Sequence, residues 1–197
     1  MKTPRLLLTA ACACLAFTAS QATTVIPPTF NQLVTQAELI FQGTVTDVAS
    51  QWVGEGGQRH IVTYVTVNVD DAVKGDPGAT YTMRMLGGTV GEETMEISDS
   101  PKFKVGDREI LFVEHNGTQF IPLVGIMHGR FHLVTNAQTG VESVLTNEGQ
   151  AVSDLAQLGK ADDHGLNTAA SANASATALD AAAFKSAIRA TLAQSGN

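Results

Sequence analysis

From Glu38 onward, apolar and polar residues alternate as a half-buried strand requires. Leu39, Phe41, Gly43 and Val45 fall on one face, Ile40, Gln42, Thr44 and Thr46 on the other, and this period of two predicts a strand to about Val48. Residues 60–69 resume the alternation, with Ile61, Thr63, Val65, Val67 and Val69 set against Val62, Tyr64, Thr66 and Asn68. The stretch 51–58 between them carries Gly54, Gly56 and Gly57, so the two runs are expected to form a hairpin. Lys74-Gly75-Asp76-Pro77-Gly78 is a turn signal, and a third strand is expected over 80–86.

Gly87-Gly88-Thr89-Val90-Gly91 then opens a long irregular connection that closes at the Gly106-Asp107 turn. Ile110-Leu111-Phe112-Val113 is the centre of a buried strand, and Asn116-Gly117 predicts a tight hairpin into a further strand over 119–124. Residues 129–135 and 141–145 are expected to pair across 136–140. Short strands at this spacing, separated by glycine-rich turns, predict a mainly β domain folded as a closed barrel or a sandwich.

Two helices flank the strands. Pro27-Pro28 keeps the chain extended, and Thr29 caps a short helix over 30–36 whose Phe30, Leu33 and Val34 face inward. At the other end, Phe184, Ile188 and Leu192 recur every four residues over 180–194, beside Lys185 and Arg189. That is an amphipathic helix expected to dock on the core. Residues 167–178 are alanine, serine, asparagine and threonine, too small and polar for a core, and 151–179 is expected to be a flexible linker. The β domain itself is assigned to residues 23–150.

Residues 1–22 read as a secretory leader: Lys2 and Arg5, an apolar stretch over 6–17, and Ser20-Gln21-Ala22 as a cleavage site. The apolar stretch of about 12 residues is short of the roughly 20 that span a bilayer, so export to the periplasm or beyond is expected, with no membrane association after cleavage. Cleavage after Ala22 would leave Thr23 first. Cys12 and Cys14 are the only cysteines, so no disulfide or thiolate metal site is expected in the mature chain. The formal charge is −7, and loss of Lys2 and Arg5 makes it two charges more negative. With the remaining lysines and arginines scattered, nucleic acid is excluded as an expected partner.

Two resemblances rest on particular residues. Val62-Thr63-Tyr64-Val65-Thr66 running to Lys74-Gly75, the Phe103-Lys104-Val105-Gly106-Asp107 turn and the closing helix from Phe184 to Leu192 resemble, over nearly all the mature length, a broad group of exported bacterial proteins of unestablished function. More remotely, the run Thr23-Thr24-Val25-Ile26-Pro27-Pro28, then Glu38-Leu39-Ile40-Phe41-Gln42-Gly43, then Lys74-Gly75 resembles the amino-terminal domain of the tissue inhibitors of metalloproteinases. That resemblance implies an OB-like closed barrel of about five to seven strands. It also implies a non-catalytic binding protein that inhibits a zinc metalloprotease through its mature amino terminus.

In that family the free α-amine and first carbonyl chelate the protease zinc. Carried over, the resemblance assigns Thr23, Thr24 and Val25 to partner binding, with Gly88, Thr89 and Val90 flanking them. Thr23 and Val25 stand where the family has its two tethering cysteines. The alternative expectation is an OB-like module that binds an oligosaccharide or another small ligand through Trp52 and Phe41.

Catalysis is not expected, and neither a metal nor a cofactor is assigned. His128 and His132 have the even spacing that aligns two rings on one strand face, but Gly129 interrupts them. His60, His115 and His164 lack neighbours at ligand spacing. Glu92, Glu93, Glu96 and Asp99 carry the carboxylates a hard cation takes, yet match no calcium loop, and a solvated acidic loop is the expectation. No nucleophile-elbow, zinc-protease or phosphate-loop pattern occurs.

Overall fold

A computed structural model describes residues 26–160 and 178–195. The elements follow in the order α1 (Phe30–Gln36), β1 (Leu39–Val53), β2 (His60–Lys74), β3 (Thr80–Leu86), β4 (Gly88–Val90), β5 (Glu93–Met95), β6 (Arg108–Val113), β7 (Arg130–Thr135), β8 (Glu142–Thr146) and α2 (Ala181–Ser195). Six of the strands form one antiparallel sheet in the order β3-β2-β1-β6-β7-β8, and β4 and β5 form a separate hairpin. The chain is therefore mainly β, as the alternation predicts.

The sheet is buried on both sides, because consecutive strand residues point to opposite faces. Ile40, Ile110 and Phe112 join Phe30, Leu33, Phe131, Phe184 and Ile188 beneath the two helices. Their neighbours Phe41, Leu111 and Val113 join Val45, Val65, Val67, Met83 and Leu123 on the opposite face. The strand pair β1–β2 serves both clusters by twisting at register shifts between Ile40 and Phe41, Gln42 and Gly43, and Val45 and Asp47. Gly43 is essential to that twist: a Cβ there would lie 2.4 Å from the Asn68 carbonyl oxygen, so only glycine lets β2 approach.

The expectation of a closed barrel is corrected: no strand ladder joins β3 to the far side of the sheet among the described residues. The expected strand over 119–124 is also absent. Instead of a two-residue hairpin at Asn116-Gly117, the Thr118 and Gln119 amides both donate to the His115 carbonyl at 3.1 Å, a tight turn with His115 at positive φ. What remains is an irregular strap. Leu86 N–H donates to Phe120 O at 2.7 Å on one side, and Val124 N–H to Phe112 O at 3.0 Å on the other, with a single bridge from Val113 to Leu123. Pro122, having no N–H, cannot take part in a regular ladder there.

Both helices take the expected positions. Thr29 and Gln32 form a reciprocal capping box at the start of α1. The Ala183 amide donates to Asp180 Oδ1 at 2.6 Å at the start of α2. α2 docks through Phe184, which meets the rings of Phe30, Phe112 and Phe131 at 5.0 to 6.3 Å between centroids. The first part of the expected linker is corrected: Ala151 bridges to Leu145, Val152 is fully buried, and Leu179 N–H donates to Val152 O. Residues 161–177, and the leader over 1–22, lie outside the described residues.

Candidate functional site

The candidate partner-binding residues fall into a part that is described and a part that is not. Thr23, Thr24 and Val25 lie outside the described residues, which begin at the exposed Ile26. The segment that follows is clamped between two glycines. A Cβ on Gly125 would lie 3.0 Å from Pro28 Cδ, and one on Gly159 would lie 2.7 Å from Thr29 Cγ2, while both glycines hold positive φ. Larger residues at either place would push the amino-terminal segment away.

The stretch from Gly87 to Gly91, expected to be irregular, is instead the start of the β4–β5 hairpin. Val90 pairs with Glu93, Thr89 with Thr94 and Gly88 with Met95. The hairpin rests on the ribbon of β1 and β2 by a small polar anchor. Ser50 Oγ lies 2.8 Å from Thr63 Oγ1, which donates to the Gly87 carbonyl at 2.7 Å. Gly88, at φ 136°, sits so close that a Cβ would lie 2.2 Å from Thr63 Oγ1. Thr89 is the exposed residue of the three.

Two cavities lie near the hairpin. One of about 250 Å³ is lined by Ser50, Thr63, Met85, Gly88, Thr89 and Ile97 among others. A second, of about 400 Å³, is apolar and lined by Ile97, Phe120, Ile121 and Ile126 among others. Ile97 belongs to both, and Ile126 follows the Gly125 that carries Pro28.

The alternative ligand face does not form as expected. Phe41 is fully buried and packs on Tyr81 at 5.4 Å between centroids, so it offers no surface to a ligand. Trp52 is partly exposed, and the Arg59 guanidinium lies over its ring at 4.2 Å. The two residues therefore belong to different environments.

His128 and His132 also part company. His128 lies outside β7, in the turn beside Gly125 and in a cleft of about 250 Å³ with Pro27, Pro28 and Lys160. His132 is in β7, with Nδ1 3.1 Å from Glu109 Oε1. Gly129 between them must be small, since its Cβ would lie 2.8 Å from the Phe112 carbonyl oxygen. Among the described residues no three His, Cys, Asp or Glu side chains cluster as metal ligands would. Glu93 lies in β5, and Glu96 is 3.8 Å from Lys102 in an exposed pair.

One cluster was not anticipated. Glu109, fully buried in β6, accepts from Arg130 Nη2 at 2.8 Å and Nε at 3.3 Å as well as facing His132, all through Oε1. Arg130 reaches Asp107 Oδ2 at 3.1 Å as well and lies over the Phe103 ring at 4.1 Å. Its only trace in the sequence is an acid and a base at the edges of two apolar strands; the register, which sets Glu109 opposite His132 and Leu111 opposite Arg130, makes the two diagonal neighbours.

Comparison of the chain with protein-family models, with curated proteins and with solved structures finds no match.

Proposed function

We propose that the protein is an exported, non-catalytic binding protein whose partner contacts the edge formed by the mature amino terminus and the β4–β5 hairpin. The partner class that suits this edge is another exported protein, a zinc metalloprotease in the reading carried by Thr23 to Val25. The observation that supports the proposal is the clamp on Pro28 and Thr29 by Gly125 and Gly159. A chain end that emerges from a rigid base loses less entropy on binding than a free one, and the base here supplies part of what the inhibitor family obtains from disulfides.

An OB-like architecture is part of the same proposal. The twisted β1–β2 pair and the strap from Phe120 to Val124, which touches both Leu86 and Phe112, support it. The test is inhibition of a panel of zinc endopeptidases by the chain beginning at Thr23, beside a version with one additional amino-terminal alanine. Chelation by the Thr23 amine predicts that the native end inhibits and that the extension reduces inhibition at least a hundredfold. Equal behaviour of the two versions, inhibiting or not, removes the amino terminus from the site.

A further inference from the structure

Both outer strands of the six-stranded sheet have their free edges closed by other parts of the chain. On β3, Leu86 N–H donates to Phe120 O, and Asn116 takes the Arg84 amide and the Thr82 carbonyl. On β8, Val144 N–H donates to Leu179 O, and the Val144 carbonyl accepts from Val152 N–H. β1 is different. β6 accompanies it only from Leu39 to Thr44, and Val45 then bonds to Asp107 and Gly106. From Asp47 to Val53, β1 has β2 on one side and, among the described residues, no strand paired on the other.

The alternation of an antiparallel ladder fixes which groups this leaves over. Thr82, Arg84 and Leu86 turn their main chains away from β2, so their partners Thr66, Tyr64 and Val62 turn theirs toward β1, where they face Asp47, Ala49 and Gln51. Val48, Ser50 and Trp52 therefore point their N–H and C=O groups outward, and among the described residues none of these groups has a main-chain partner. Repeated at every second residue along a strand, such groups match one occupant, the main chain of another extended segment. The side chains beside them add a second feature. Val48 and Ser50 line a cavity of about 250 Å³ with Val65, Met85, Ile97 and Phe103 among others. A strand added to this edge sets every second side chain beside theirs, and so at that cavity.

We propose that the β1 edge from Asp47 to Val53 is a docking site for an extended segment of a partner polypeptide, which adds as a further strand and places an apolar side chain in the cavity. Main-chain hydrogen bonds supply the affinity, and the cavity supplies the selectivity. A second copy of this chain is a poorer occupant. Antiparallel pairing of two copies through this edge sets both β4–β5 hairpins on one face, where Gly88 already lies against Ser50. The formal charge of −7 disfavours an acidic segment. The site does not involve Thr23, so it stands whether or not the amino terminus reaches a zinc.

The probe is a labelled peptide, Lys-Thr-Val-Thr-Leu-Thr-Lys, titrated with the purified protein and followed by its anisotropy and by emission of Trp52, the only tryptophan. Saturable binding is expected. Amide exchange followed by NMR should be fast at Val48, Ser50 and Trp52 in the protein alone and slow with the peptide bound. When the Val and Leu side chains of the peptide face the cavity, their amides face β1. N-methylation of those two amides should therefore lower affinity about tenfold or more, whereas N-methylation of the Thr amides should change it by less than about twofold. Val48→Pro removes a donor that the fold does not use and should weaken binding about two- to twelvefold, with circular dichroism checking that the variant folds. If it does not fold, the methylated peptides decide. No saturable binding, or equal binding of the two methylated peptides, overturns the proposal. So does slow exchange of the three amides in the protein alone, which would place another part of this chain or a second copy on the edge.

Discussion

Asn116 completes the outer edge of β3 as a neighbouring strand would, its Oδ1 accepting the Arg84 backbone N–H at 2.9 Å and its Nδ2 donating to the Thr82 carbonyl at 2.8 Å. A side-chain amide has the same donor and acceptor as a peptide unit, and here it caps an edge that would otherwise invite another chain. Asn116→Ala is expected to destabilise the fold by about 1–3 kcal/mol through two unmet backbone groups. It should also promote concentration-dependent association. Urea unfolding and light scattering across a dilution series check this, and a monodisperse variant of unchanged stability would show that water serves the edge equally well.

Lys74 joins β2 to α1. Its ammonium donates to the carbonyls of Val34 at 2.9 Å, Thr35 at 3.1 Å and Ala37, where the helix ends. Cations are favoured at a helix C-terminus, and these carbonyls have no partner within the helix. Burial lowers the pKa of the group below the ordinary lysine value, while the three carbonyls favour the charged form. Lys74→Met keeps the stem and removes the donors, and is expected to lower unfolding free energy by about 1.5–3 kcal/mol. Chemical denaturation followed by circular dichroism measures it.

The docking of α2 should weaken in acid. Burial alone would raise the pKa of Asp71, but hydrogen bonds from Lys185 and Arg189, with their charges, hold it below the ordinary value of 3.8. A carboxylate depressed in the folded state stabilises in full above its unfolded value, and that contribution is lost as pH falls through the folded one. The expected loss therefore begins near pH 4 and continues below it. Urea unfolding of the native protein and Asp71→Asn should differ at pH 6 and converge as the pH approaches 2; a constant difference would assign the effect to packing.

Phe184 should carry most of the docking energy of α2, since it is fully buried against three other phenylalanine rings. Phe184→Ala is expected to reduce stability by about 3–5 kcal/mol. Protease sensitivity near the carboxy terminus should rise in parallel, and unchanged proteolysis would mean that α2 stays docked without it.

Glu109 tests a different kind of contact. Removing one partner of a buried ion pair leaves the other uncompensated, at about 3–5 kcal/mol. Glu109→Gln retains an acceptor for Arg130 but not the charge, and Asp107 remains within 3.1 Å of that guanidinium. The expected loss, measured by thermal unfolding, is therefore below that of Glu109→Ala. Equal losses would mean that charge, not hydrogen bonding, holds Arg130.

Much of the fold was legible along the chain because its determinants are local. Thr29 and Gln32 announce α1, the four-residue spacing of Phe184 and Ile188 announces α2, and alternation places β3 and the starts of β1 and β2, which run on five residues past their expected ends to Val53 and Lys74. Asn116-Gly117 misled because the dipeptide is compatible with more than one turn, and Pro122 prevents the ladder that a hairpin would need. The candidate site was legible only in part. Gly88 could be placed beside a strand end, but its seat on Ser50 and Thr63 joins residues from three elements.

By itself, the sequence determined both helices and the strands of the main sheet, the apolar residues available for a core, and the acidic balance, since each follows from neighbours along the chain; the strap over 119–124 and the β4–β5 hairpin did not follow from it. Only the tertiary structure decided that consecutive residues such as Ile40 and Phe41 feed two separate cores, which removed Phe41 from any surface. It alone also set Glu109 against Arg130. Such pairings depend on strand order and register, which arise from packing between distant segments and leave no periodic trace in the chain.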